Sequence, residues 1–442
     1  MYKPNLEKFK NYKFGMFIHW GLYSLRGEDC WDVMFSKDSM QEYIDSTLPY
    51  FDGKNCNMDE WAELAKKVGM KYMVFTARHH DGFSLWDSKS SWGNHTSMSD
   101  KCPVKRDYVK EFTDACRKQG LGVGIYYSPI DWRFPGFYNP QMFKENAREM
   151  VKQCHEQVDE LTKNYGNVDV LWFDGGEDWV VAFSLDFGSR KRPDDCAKNP
   201  KFPNFWEEDK LNDIFRTNQP EIVATPRFGS MKHGDIKVYE CSVNNYDVEN
   251  VWETCERIAH CWGWTPETQP RSLRDLVKLL IKVITGGGNL LLNVGPDGSG
   301  KMDEKQVRRL LELGDFVNKY EESIFNTDAG PIVNGNYGGT THNKNSVYLH
   351  ITDWKCEEAS FPTLNEKVKK VECLTSTDGF KYREENGVLY MNIAEKSKGD
   401  PDTIFKITFE KDVKEIFKDF DAHSFKIDTP YVDRFTEIHG RD

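Results

Sequence analysis

The sequence predicts an α/β chain: a (β/α)8-like barrel followed by a C-terminal antiparallel β-sandwich. Three observations predict it. Short apolar runs alternate with amphipathic stretches through the first three quarters of the chain. Near residue 330 the hydrophobic period changes to two. Within the first region, the apolar runs end repeatedly in polar, protonatable or aromatic groups, and the C-terminal ends of strands are where barrel enzymes carry their reactive side chains.

The first run is Phe14-Gly-Met-Phe-Ile18, leading into His19-Trp20-Gly21. Tyr72-Met-Val-Phe75 leads to Arg78-His79-His80-Asp81-Gly82-Phe83. Leu121-Gly-Val-Gly-Ile-Tyr126 ends in Tyr127-Ser128, and Val168-Asp-Val-Leu-Trp172 in Phe173-Asp174-Gly175-Gly176. Ile222-Val-Ala224 is followed by Pro226-Arg227-Phe228, and Ile236-Lys-Val-Tyr239 by Glu240-Cys241. Leu290-Leu-Leu-Asn-Val294 is the last. Their length and β-branched content suit buried parallel strands. Amphipathic patterns over 59–67, 106–118, 142–164, 207–216 and 273–284 supply the helices between them. Seven or eight such strands favour a barrel over an open sheet.

The predicted domains are 1–330 and 331–442, divided at the turn-rich Asn326-Thr-Asp-Ala-Gly-Pro331. The runs Ser346-Val-Tyr-Leu-His-Ile351, Gly387-Val-Leu-Tyr-Met-Asn-Ile393 and Thr403-Ile-Phe-Lys-Ile-Thr-Phe409 alternate with period two, as sandwich strands do. Residues 177–205 have little periodicity and read as a long loop after the fourth strand. Gly286-Gly-Gly288 precedes a strand, and Gly295-Pro-Asp-Gly-Ser-Gly300 lacks the Lys-Ser/Thr of a phosphate-binding loop; both read as turns.

Charge and composition exclude several classes. The balance of 59 basic and 71 acidic residues gives −12, which disfavours nucleic acid and anionic membrane surfaces as partners. No apolar run is long enough for a membrane-spanning helix. The 11 cysteines are scattered with no C-x-x-C, which argues against a structural zinc site. With no apolar signal core after Met1, the expected compartment is the cytoplasm with reduced thiols. Asn94-His-Thr96 is a glycosylation sequon that carries no weight without such a signal. Aromatic residues make up 14% of the chain, a surplus suited to stacking on flat apolar ligand faces. Self-association as a homo-oligomer stays open.

Asp174 sits between an apolar run and two glycines. Asp-Gly is a common turn pair, but the chemistry gathered at the other strand ends favours a reactive carboxylate. Glu240 ends the sixth run, and two carboxylates across a barrel mouth can act as nucleophile and acid/base on a glycosidic bond. Adjacent His79 and His80 alternate across a strand, which works against joint chelation. With His19 they are read as neutral imidazoles that hydrogen-bond a ligand, with no metal and no cofactor expected. Arg227 places a cation beside the carboxylates, and Trp31, Trp172 and Trp262 are candidates for stacking.

Taken in order, Phe17-Ile-His-Trp-Gly21, Ala77-Arg-His-His-Asp-Gly-Phe83, Gly124-Ile-Tyr-Tyr-Ser128, Leu171-Trp-Phe-Asp-Gly175, Trp252-Glu-Thr-Cys255, Trp262-Gly-Trp264 and Gly287-Gly-Asn-Leu-Leu-Leu-Asn-Val-Gly-Pro296 resemble the α-L-fucosidases of glycoside hydrolase family 29. The resemblance implies retaining hydrolysis of terminal α-L-fucose from oligosaccharides or glycoconjugates. It implies Asp174 as nucleophile, and His19, Trp31, His79, His80, Tyr126, Trp172, Arg227 and Trp262 as sugar-binding residues. Glu240 is the expected acid/base, with Glu253 as competitor. Cys30 departs from the pattern, since some members carry glutamate there. The alternatives are an α-L-galactosidase or other exo-glycosidase, a metal-dependent hydrolase, or an inactive fucose-binding protein.

Overall fold

The computed structural model describes residues 2–138, 140, 142–176, 204–229, 231–354, 357–376, 380–395, 398–399 and 401–424. Most of the expected loop after the fourth strand, 177–203, lies outside the described residues, as does the chain from 425. Two compact units are formed. One takes Met1–Ser242, Asn250–Arg271 and Leu290–Gly314, and the other Val243–Glu249, Ser272–Asn289 and Asp315–Asp442.

The parallel sheet has eight strands: β1 (Phe14–Ile18), β2 (Tyr72–Arg78), β3 (Gly122–Tyr127), β4 (Val170–Phe173), β5 (Val223–Ala224), β6 (Lys237–Glu240), β7 (Trp252–Arg257) and β8 (Asn289–Val294). Their order is β5-β4-β3-β2-β1-β8-β7-β6, as in a (β/α)8 barrel. Every residue of β1, β2, β3, β4 and β8 is buried, as continuous apolar runs require. The ends β5 and β6 share no ladder among the described residues. Asp235, just before β6, bridges them: its N–H donates to the Ala224 carbonyl at 2.9 Å, and its carboxylate accepts from the Ala224 N–H at 2.7 Å.

The eighth strand, β7, is one that the apolar-run reading passes over. Trp252-Glu-Thr-Cys-Glu-Arg257 looks too charged for a core strand. Its first five residues are nonetheless buried, because Glu253 finds partners inside the barrel. The helices follow the amphipathic patterns. In Met58–Val68, Asn57 caps the start, Gly69 ends it in the left-handed region (φ 89°), and Met58, Trp61, Ala62, Ala65 and Val68 form the buried stripe. Asp107 and Gly120 (φ 68°) bound Tyr108–Gln119 in the same way.

The second unit holds two antiparallel sheets. One orders Val368–Cys373, Thr403–Phe409, Ser346–Ile351, Gly338–Asn343 and Asp328–Ala329; the other orders Ala359–Pro362, Val388–Ile393 and Phe380–Glu385. Val347, Leu349, Phe405 and Ile407 from the first share one core with Phe361, Leu389, Met391 and Ile393 from the second. Alternating strands of two sheets burying one face against each other make the expected sandwich.

Candidate active site

Asp174 follows β4, where its N–H donates to the Tyr127 carbonyl at 3.2 Å. The two glycines after it are required by space. A Cβ on Gly175, which has φ 80°, would lie 2.9 Å from the His80 ring; one on Gly176 would lie 2.6 Å from the Phe228 backbone. The chain can therefore turn away at once and leave the carboxylate at the strand tip.

Three polar groups surround that carboxylate. The Tyr126 hydroxyl donates to Asp174 Oδ2 at 2.7 Å. Arg227 Nη2 lies 3.1 Å from Oδ1, and His80 Nε2 3.6 Å from Oδ2. The same guanidinium donates through Nη1 to Glu240 Oε2 at 2.7 Å. One arginine thus holds both expected catalytic carboxylates, in the forked geometry that guanidinium supplies. Asp174 is 16% exposed and Glu240 37%, so both face an opening. Burial pushes the Asp174 carboxyl upward, but Arg227, His80, the Tyr126 hydrogen bond and His19 outweigh it, and it is held below its ordinary value.

The three histidines are neutral for a shared reason. Burial lowers His19 and His80 to about 4, and His79 lies well below its ordinary value. Asn293 on β8 sets the His19 tautomer. Its Nδ2 donates to the Trp262 carbonyl at 2.8 Å, so its Oδ1, 2.6 Å from His19 Nδ1, must accept. His19 Nε2 then carries a lone pair. His80 Nδ1 lies 2.6 Å from Ser128 Oγ, while His80 Nε2 and His79 Nδ1 are buried with no hydrogen-bond partner. Strand β2 ends at Arg78, so alternation stops before the two histidines. Their rings come within 4.1 Å, centroid to centroid, and each offers an atom within 4.8 Å of the Asp174 carboxylate.

Aromatic rings build the walls. Tyr126 stacks on Trp172 at 5.6 Å and on His79 at 5.5 Å. Trp172 lies under the Arg227 guanidinium at 5.6 Å. Trp262 faces His19 at 5.1 Å, and Trp31 meets His80 at 5.0 Å. Glu253 sits deeper, with no solvent exposure. It accepts from Trp172 Nε1 at 2.8 Å and from the Tyr72 hydroxyl. Burial raises it to about 7 despite those two donors.

The fold therefore brings together every sequence-predicted site residue. Sequence reasoning passed over Asn293, although its motif was noted; a polar residue inside an otherwise apolar strand was the available signal. A separate cavity of about 1040 Å³, lined by Lys144, Arg148, His155, Glu156, Phe205 and others, lies along the helices Lys144–Lys163 and Glu208–Asn218 and includes none of these residues.

Residues 2–322 match the model of the alpha-L-fucosidase family. A putative alpha-L-fucosidase of Caenorhabditis elegans is 31% identical over 356 residues, covering 74% of this chain and 67% of that one. The plasma alpha-L-fucosidase of Homo sapiens is 30% identical over 350 residues, covering 72% and 69%. Among solved structures, alpha-L-fucosidase isoenzyme 1 from Paenibacillus thiaminolyticus superposes with a TM-score of 0.78 at 28% identity, over 92% of this chain and 99% of that one. With residues 2–322 of its 442 matched to that model, the chain belongs to the alpha-L-fucosidase family.

Proposed function

We propose that this chain is a retaining α-L-fucosidase in which Asp174 is the nucleophile and Glu240 the acid/base. The observation that carries the assignment is the Arg227 guanidinium shared by the two carboxylates. Asp174 attacks the anomeric carbon while Glu240 protonates the leaving oxygen, giving a glycosyl ester and a free alcohol. Glu240 then takes a proton from water, the oxygen of which displaces Asp174. Tyr126, Arg227 and His80 keep Asp174 ionised for the attack. The neutral imidazoles suit sugar hydroxyls, which both donate and accept, and the Trp262 ring offers an apolar wall for the fucose methyl.

Glu253 does not suit the acid/base role. Both of its oxygens are occupied by Tyr72 and Trp172, and it has no exposed surface. It positions Trp172, the ring beneath Arg227. The substrate is a fucosylated oligosaccharide or glycoconjugate. An assay on aryl α-L-fucoside with product stereochemistry read by NMR tests the reading: α-L-fucose as first product supports it, and the β anomer as first product overturns it.

A further inference from the structure

Cys30, which the proposed sugar hydrolysis does not use, lies beside two of the histidines assigned to the sugar. One ligand atom from each of His19, Cys30 and His79 lies within 4.8 Å of the others, and all three residues are buried. We propose that His19, Cys30 and His79 form a binding site for a thiophilic cation such as Zn²⁺ or Cd²⁺, and that its occupation blocks the sugar pocket.

Three features point to a ligand there. Two imidazole nitrogens and a sulfur are the donor set of a soft or borderline cation. Asn293 orients His19 as metal-bound histidines are usually oriented, through a hydrogen bond from the ring nitrogen that does not ligate. His79 Nδ1 is buried without a partner, a vacancy that costs free energy in an apolar surround unless something fills it. Closing to a tetrahedral set, with metal–sulfur near ~2.3 Å and metal–nitrogen near ~2.0–2.1 Å, brings donor separations to roughly 3.4 Å. Starting within 4.8 Å, side-chain movements of about an ångström suffice to reach that separation.

The electrostatics agree with the geometry. Asp29 and Asp174 act on His19 and on Cys30 as negative charges, a field that favours a cation. The Cys30 thiol releases its proton to solvent as the sulfur–metal bond forms. No electron transfer is involved. His79 also belongs to a second group, with His80 and Asp174, so a bound cation occupies the space beside the nucleophile.

The occupation is read by ultraviolet sulfur-to-metal charge transfer when Cd²⁺ is added to the full chain. One equivalent is expected, with the band lost or binding weakened at least about tenfold in Cys30→Ser, and weakened in His79→Asn. L-Fucose should displace the ion, and Cd²⁺ should raise KM for an aryl fucoside without lowering kcat. A band that persists in both variants places the cation on another of the 11 cysteines and overturns the site, as does the absence of any band. Because the spectrum needs no turnover, failure of the proposed activity is told apart from failure of this site.

Discussion

Two of the arginine–carboxylate clusters in the barrel unit are built on opposite ratios. In one, a single aspartate, Asp131, is held by two arginines. Arg78 Nη2 and Arg133 Nη2 each lie 2.6 Å from Oδ2, Gln153 adds a donor at 3.0 Å, and the Arg133 N–H and Nε serve Oδ1 at 3.1 and 2.9 Å. Asp131 and Arg78 have no exposed side-chain surface, and the carboxyl is held well below its ordinary range although burial opposes it. In the other, a single arginine, Arg227, serves two partly exposed carboxylates. In the first cluster the Asp131 carboxylate is saturated with donors and closed to solvent, although Arg78 Nε stays without a partner. The second is short of cationic charge and open to a ligand. In this pair, saturation of the carboxylate, and not the presence of a buried charge, separates scaffold from site.

Four substitutions can break or sharpen that contrast. The largest effect is expected for Asp174→Gly. Turnover should fall by about 10⁴-fold or more while the unfolding midpoint stays close to the parent's. Added azide should restore turnover and yield glycosyl azide; hydrolysis at the parental rate would sink the nucleophile assignment. Next comes Glu240→Ala, which should cost about 10²–10⁴-fold on a natural oligosaccharide and clearly less on a substrate with a good leaving group. Equal losses on both would remove Glu240 from the acid/base role.

Asp131→Ala should act on folding instead. Leaving two buried guanidinium groups uncompensated costs about 3–5 kcal/mol, visible as a lowered denaturation midpoint. A variant as stable as the parent would show that saturation is not what the network contributes. The smallest effect is a shift in pH dependence. Arg227 helps hold Asp174 below its ordinary pKa, so in Arg227→Met the acid limb of kcat/KM should move to higher pH. An unmoved limb would assign it to another group.

Glu253 gives a complementary pH test. Its folded-state value, about 7, lies above the ordinary 4.5. The native chain therefore keeps a proton that the unfolded chain releases, and stability falls as pH rises between those values. Glu253→Gln should flatten urea midpoints measured between about pH 5 and about pH 8; an unchanged slope would place the titration elsewhere.

Much of the barrel was legible because buried parallel strands announce themselves as apolar runs. The sandwich was legible through alternation in strands such as Thr403–Phe409, whose inward Phe405, Ile407 and Phe409 are fully buried. β7 was not, because Glu253 breaks the apolar pattern and its partners, Tyr72 and Trp172, are 181 and 81 residues away. No local signal reveals that a charged residue will be satisfied across a barrel. The site was readable at the strand tips for the same reason in reverse: Asp174, His79 and Glu240 follow runs that needed no polar residue. Asn293 was hidden inside such a run, and its role depends on the Trp262 carbonyl, 31 residues away.

The junction between β5 and β6 has a consequence for breathing. Among the described residues strand β6 is laddered on one side only, to β7, and the Arg227–Glu240 ion pair spans the other side at the strand tips. Amides of β6 should exchange with deuterated solvent well before those of β2 and β3, which are laddered on both sides. In Arg227→Met they should exchange sooner still. The proposed acid/base thus rides on a stave that is laddered on one side only, where a fluctuation in the wall becomes a fluctuation in the distance over which a proton must be delivered.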